Sequence, residues 1–305
     1  MQRSSLRAAD STAPGRQTPV RNLLVMLLPA SIVIALLFGG GLLLGLFQAL
    51  EQTPGNGYDS LSPNIFMKVL QDPDFIRNLL LTLYISTTST LLAAIFSILL
   101  AVSFLRWSEN SRILLFLLQI PLAVPHLVVA IAILFLLSPT GFFSRLLVSA
   151  GLVTSPTAFP LLVNDPLCFS IILVYIWKEI PFLTFMILSI LKNSGPELLE
   201  AGATLKAGIL QRFFYITLPL ITPGLAGGCL IVFAFTFGAF EVPYLLGQTY
   251  PTSLPVWAYK SYSDIDLLAR PEGIAIGLII AAIVIGTVIL AQTLLRINRN
   301  RGALS

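Results

Sequence analysis

Charge is scarce in this 305-residue sequence: 10% of its residues are Asp, Glu, Lys or Arg, against 56% that are hydrophobic. That balance excludes an ordinary soluble domain, in which about a quarter of the residues are charged. Histidine is scarcer still. A single imidazole, His126, rules out a multi-histidine metal site and makes a Ser-His-Asp triad hard to build. The two cysteines, Cys168 and Cys229, show no metal or redox spacing and read as small buried hydrophobes within membrane segments. No G-x-x-x-x-G-K-[ST] run occurs, so the chain has no P-loop. Internal repeats, low-complexity blocks and basic stripes with interleaved aromatics are missing too, which removes nucleic acid from the partners. If ATP drives this protein, another polypeptide must bind it.

What the sequence has instead is long apolar runs. A helix needs about 20 apolar residues to cross a bilayer. Runs of that kind lie at 23–47 and near 76–105, 112–137, 166–191, 219–247 and 273–295, six in all. The first is too long for a signal-peptide core of about 7–15 residues, and Gly39-Gly40-Gly41 softens it. The expected fold is therefore all-α and integral to the membrane: one transmembrane domain of six helices over 22–296, with polar tails at 1–21 and 297–305.

Basic residues orient such a domain. With both termini in the cytoplasm, twelve Lys and Arg residues fall inside, and only Lys68, Arg77, Arg145, Lys260 and Arg270 fall outside. The same arrangement puts eight of the fourteen acids outside. The stretches 48–75, 138–165 and 248–272 then read as periplasmic loops with short interfacial helices, serving either as plain connections or as contacts for a solute-binding protein.

The cytoplasmic loop 192–218 is the most informative stretch. Ser194 and Gly195 suit a helix cap, Pro196 the first helical position, and Glu197 the first turn. Leu198, Ala201, Gly202 and Leu205 recur at i, i+3, i+4 and i+7, one face of a short helix with a small centre that another surface can approach closely. Glu200 points away from that face. Ile209, Phe213, Ile216 and Leu220 set a second stripe, ended or kinked by Pro219 and Pro223.

Glu200-Ala201, Phe213 and Ile216-Thr217-Leu218-Pro219 resemble the EAA signature of permease subunits in binding-protein-dependent ABC importers. The glutamate and the final proline stand at the family's spacing. Two positions depart from it: the second alanine is Gly202, and the glycine six residues after the glutamate is Lys206, which shifts relief of the turn to Gly208. The resemblance implies a type I importer permease-like fold with a five-helix core in a bacterial inner membrane. It implies that Glu200, Ala201, Gly202, Leu205, Lys206, Gly208, Phe213 and Pro219 belong to a loop that docks on an ATPase. It further implies two ATPase subunits that bind ATP and Mg, a second permease subunit of a different sequence, and a periplasmic binding protein. The chain itself would carry no cofactor and no catalysis.

Polar residues inside the spans mark the expected pathway, because intramembrane charge normally faces protein or water. Lys178 and Glu179 lie about 18 Å along a helix that starts near Pro166, at mid-membrane, and point about 100° apart. Each serves either a polar partner within the bundle or the pathway. Glu241 lies about 33 Å along the helix from Pro219 and is bracketed by Gly238 and Pro243, where local unwinding would line a cavity. It is read as a pathway carboxylate, with pairing to Lys178 or to a partner chain as the alternative. Pro121 and Pro125 bend the third span beside His126, which packs by hydrogen bonding or carries protons. The segments around Glu241 and His126 resemble the polyamine, thiamine and ferric-iron branch of the family, and a polyamine or another small cation is the expected solute. Two rivals remain at this point: an ion-gradient-driven carrier that uses Lys178, Glu179, Glu241 and His126 as a relay, and a purely structural membrane subunit.

Overall fold

Backbone polar groups in lipid must be paired within the chain, and a helix does this locally. Helix is the only regular structure among the residues that the computed structural model describes, which are 20–50, 63–107, 112–194 and 196–302. The order opens with α1 (Val20–Ile34), a π-turn (Ala35–Gly39), α2 (Gly40–Leu50), α3 (Asn64–Gln71), α4 (Pro73–Trp107), α5 (Arg112–Ala123) and α6 (His126–Leu137). It continues with α7 (Phe142–Ser149), α8 (Phe169–Ser194), α9 (Pro196–Thr204) and α10 (Ile209–Arg212). A second π-turn (Phe213–Thr217), α11 (Leu218–Gly238), α12 (Glu241–Leu246), α13 (Leu254–Tyr262) and α14 (Arg270–Gly302) complete it. Most of the tail expected at 1–21, the end of the tail at 297–305 and the cap residue Gly195 lie outside the described residues.

Among the described residues, six stretches are long and apolar enough to cross a membrane. Four match the expected runs closely. The fifth, expected at 219–247, covers Ile209–Gly238 instead, because the π-turn carries the loop helix straight into it. The third also differs: it covers His126–Ser149, and Ile113–Ala123 stands apart as a shorter apolar helix. Proline explains the split. Pro125 has no amide hydrogen and takes an extended conformation (φ −59°, ψ 145°), so α5 stops before it and α6 starts after it. The fifth span is also interrupted, at Ala239 (φ −78°, ψ 130°), which makes Glu241 the first residue of α12. Cys168 is not inside a span; it precedes α8 in the left-handed region (φ 53°).

α8 is the axis. It is the most deeply buried span, and it packs against α4, α5, α6, α11 and α12. The first span is the least buried. Two apolar clusters divide α8 along its length. At the end remote from α9, Ile171 and Tyr175 pack with Ile85, Val129, Ala130, Val242 and Leu246. At the α9 end, Ile187 and Leu191 pack with Phe104, Leu118 and Ile221. Thus α5 and α6, the two halves of one broken helix, seat on opposite ends of the same rod.

The segment after α12 is fastened to α4. The Thr252 amide donates to Asn78 Oδ1 at 3.1 Å, and the Leu254 amide donates to Thr82 Oγ1 at 2.8 Å. Thr82 in turn donates to the Asn78 carbonyl. The Tyr250 hydroxyl donates to Asp74 at 2.6 Å and accepts from Arg77. Thr82 is buried, so Thr82→Val leaves the Leu254 amide without an acceptor, which costs about 1–3 kcal/mol. The expected outcome is a lower thermal midpoint in detergent, while Thr82→Ser stays near wild type.

Candidate functional site

Two constellations gather the polar residues of the spans and of the loop. The first is built on the α5–α6 break. In an unbroken helix the Pro121 carbonyl would accept from the amide of residue 125, but that residue is proline. The Val124 carbonyl is free as well, because the Val128 amide donates to Pro125 instead. Lys178 of α8 reaches both: Nζ donates to the Pro121 and Val124 carbonyls, each at 2.6 Å. The residue is 6% exposed. A lysine at mid-membrane costs about 2.5–3.5 kcal/mol on insertion scales. Two charge-assisted hydrogen bonds, at about 1.5–3 kcal/mol each, offset that.

Glu179, the next residue, turns to a different partner. Its Oε1 lies 3.3 Å from His126 Nε2. An ionised carboxylate can only accept, so its bond to the ring requires the tautomer with the hydrogen on Nε2. The imidazole also packs on Phe235, with ring centroids 4.7 Å apart, and lies 6.3 Å from the Tyr175 ring. These groups face a cavity of about 160 Å³ walled by His126, Tyr175, Phe235, Ala239, Phe240 and Glu241. Glu241 is exposed and forms no ion pair with any described residue. Its pairing with Lys178, the alternative open from sequence, does not occur: the ammonium is taken up by carbonyls. The structure therefore brings His126 and Glu241 to one cavity, sets Glu179 against His126, and turns Lys178 to the helix break.

The second constellation is the loop. α9 starts at Pro196, and the chain leaves it through Lys206, which is itself left-handed (φ 55°). The Ala207 amide donates back to the Gly202 carbonyl at 3.1 Å, the six-to-one bond of a Schellman ending. The lysine thus occupies the conformation that glycine was expected to relieve. Gly208 does not take over; it is extended (φ −63°, ψ 164°) and starts α10, its amide donating to Gln211 Oε1 at 2.9 Å. Pro219 and Pro223 do not end the second stripe. A π-turn leads into α11, Pro219 falls in its tolerant first turn, and the helix runs through Pro223 to Gly238.

Gly202 is buried, and its small face meets its own chain. A Cβ there would lie 2.6 Å from Ile216 Cδ1 and 3.3 Å from Arg212 Cγ. The close approach expected of a foreign surface is made instead by the start of the next helix. Between the two short helices a groove of about 260 Å³ opens, lined by Gly202, Leu205, Ala207, Gln211, Arg212 and Tyr215. Leu205 and Tyr215 are 82% and 81% exposed. Glu200 and Ala201 are also exposed, and Phe213 meets Phe214 edge-on. Sequence reasoning missed Arg212 and Tyr215 in the groove and Tyr175, Phe235 and Phe240 in the cavity. Tyr175 had a signal, since it stands four residues before Glu179 on the same helix face. Phe235 had none, because it reaches His126 only through packing.

Residues 93–301 match the family described as binding-protein-dependent transport system inner membrane component. The inner membrane ABC transporter permease protein YdcU of Escherichia coli (strain K12) is 29% identical over 242 residues, which cover 75% of this chain and 76% of that one. The spermidine/putrescine transport system permease protein PotB of Haemophilus influenzae is 33% identical over 135 residues, covering 44% of this chain and 46% of PotB. Among solved structures, a bacterial ABC transporter involved in the import of the acidic polysaccharide alginate superposes with a TM-score of 0.72 at 25% identity, covering 90% of this chain and 95% of that one. A second alginate transporter structure, in complex with an alginate pentasaccharide-bound periplasmic protein, gives 0.71 at 26% identity, covering 89% of this chain and 92% of that one.

Two substitutions check the loop geometry by hydrogen exchange over residues 196–217. Lys206→Gly removes a left-handed side-chain penalty of about 1 kcal/mol, so amides at the end of α9 exchange about fivefold more slowly. Gly202→Trp forces α9 away from Ile216 and speeds exchange through both short helices.

Proposed function

The chain belongs to the family of inner membrane components of binding-protein-dependent transport systems and is a non-catalytic, multi-pass permease subunit of an ABC importer; from that premise we propose that it carries a small cation past Glu241 and couples to a separate ATPase through α9 and α10. In this reading both termini are cytoplasmic, and two permease subunits of different sequence meet two ATPases that bind ATP and Mg. A periplasmic binding protein delivers the solute to the loops at the opposite face. Closure of the ATPases pushes on the groove between α9 and the π-turn, and the helices that carry the cavity reorient as rigid bodies. Family membership sets aside the gradient-driven carrier and the purely structural subunit.

The observation that carries the choice of solute is the exposed carboxylate of Glu241 on a cavity wall with no cationic partner among the described residues. Such a site attracts positive charge and repels an acidic polymer. It favours the solute class in PotB's name, spermidine and putrescine, over the alginate of the structural neighbours. The docking reading is supported by the exposed apolar side chains of Leu205, Leu210 and Tyr215, which crowd the turn beside the groove.

Purification of the tagged chain in mild detergent from its native membrane should recover a P-loop ATPase and a second permease; isolation of the chain alone, even after cross-linking, counts against the assembly. In cells that hold the whole importer, Glu241→Gln should lower uptake of radiolabelled spermidine about tenfold or more, the loss of a hydrogen bond to a charged group. Basal ATP hydrolysis should stay unchanged. Equal uptake by wild type and variant would remove Glu241 from the pathway.

A further inference from the structure

The mid-membrane ammonium of Lys178 is committed to two carbonyls, and both are free because of proline. The Pro121 carbonyl lacks its helical donor since residue 125 is Pro125, and the Val124 carbonyl loses its own to the local turn in which Val128 donates to Pro125. Lys178 lies along α8 between the two apolar clusters, so its contact falls where α5 changes into α6. On one side Leu118 of α5 is held with Ile187 and Leu191. On the other, Val129 and Ala130 of α6 are held with Tyr175, Val242 and Leu246. The first residue after the break is His126, which lines the cavity and reaches Glu179.

We propose that Lys178 is a positioning residue: its ammonium replaces the amide hydrogen that Pro125 lacks and fixes the angle between α5 and α6, which in turn sets His126 against Glu179. The pathway charge is then Glu241 and not Lys178. The break also joins the cluster that contains Ile221, just beyond the loop, to the cluster that contains Val242, beside Glu241. A displaced break separates the two ends of the molecule mechanically even when each end stays folded. The consequence for transport rests on the pathway reading above; the geometry of the break does not.

The proposal predicts a dependence between two positions. Spin labels at Ile113→Cys and Phe135→Cys, both exposed, in a chain whose own cysteines are replaced, report the distance across the break in the purified importer. A straight helix would hold these positions about 33 Å apart, and the extended backbone at Pro125 departs from that geometry. Lys178→Met should broaden and shift the distance distribution, and Lys178→Arg, which keeps the donors, should restore it. Pro125→Ala supplies the missing amide and should move the distance toward the straight value. In the Pro125→Ala background, Lys178→Met should then change nothing further. ATP hydrolysis stimulated by the co-purified binding protein should fall about tenfold in Lys178→Met and stay low in the double variant, because the helix is satisfied but His126 is misplaced. An equal effect of Lys178→Met on the distance in both backgrounds overturns the proposal, and so does full recovery of stimulated hydrolysis in the double variant. Absence of a co-purified ATPase would defeat the importer assembly instead, and the distance measurement would still decide the role of Lys178.

Discussion

A carbonyl that loses its amide partner inside a membrane must find another donor, because no water is there to supply one. This chain meets that demand at mid-membrane with a lysine. The placement looks unfavourable until the backbone is considered: the proline at 125 frees the Pro121 and Val124 carbonyls, and Lys178 arrives from the neighbouring helix to satisfy them. The interaction makes α8 the reference for everything around it. Both halves of the broken helix, together with α4, α11 and α12, take their positions from its surface.

The cavity follows from a second interruption. α11 ends at Gly238, Ala239 runs extended, and α12 begins at Glu241, so the carboxylate sits where backbone is irregular and the packing open. Irregular backbone at membrane depth is tolerated where it lines a cavity or is buried in protein. The two breaks lie on opposite sides of one space: His126 starts α6 and Glu241 starts α12, and α6 and α12 pack on each other through Val129, Ala130, Val242 and Leu246. The lining of the cavity and the packing of the two broken helices therefore depend on each other.

At the loop the logic is the reverse. The face of α9 that looks free in sequence is spent within the chain, Gly202 against Ile216 and Arg212, and the surface left for a partner is the rim of the groove beside it. A left-handed lysine at 206 completes the turn at a small conformational cost, held by the hydrogen bond from Ala207 to Gly202. Through Ile221 and Leu118 the loop end is tied to the same bundle that carries the cavity.

Sequence alone determined the class of molecule. Apolar runs longer than a bilayer is thick leave the chain no alternative to membrane helices, and the spacing from Glu200 to Pro219 carries the family. The breaks at Pro125 and between Gly238 and Pro243 were legible as well, because a proline withholds an amide hydrogen. Proline alone did not fix them, since α11 runs on through Pro223. Tertiary structure alone decided what fills those breaks. Lys178 and Glu179 are neighbours in the chain and equal in depth, yet one turns to carbonyls of α5 and the other to His126, a choice that depends on which helix lies against each face. The same holds for Gly202, whose small face admits any surface in principle and is occupied by Ile216 in fact. Local chemistry is written in the order of residues; the partner of a buried charge or a bare backbone is settled only when distant helices meet.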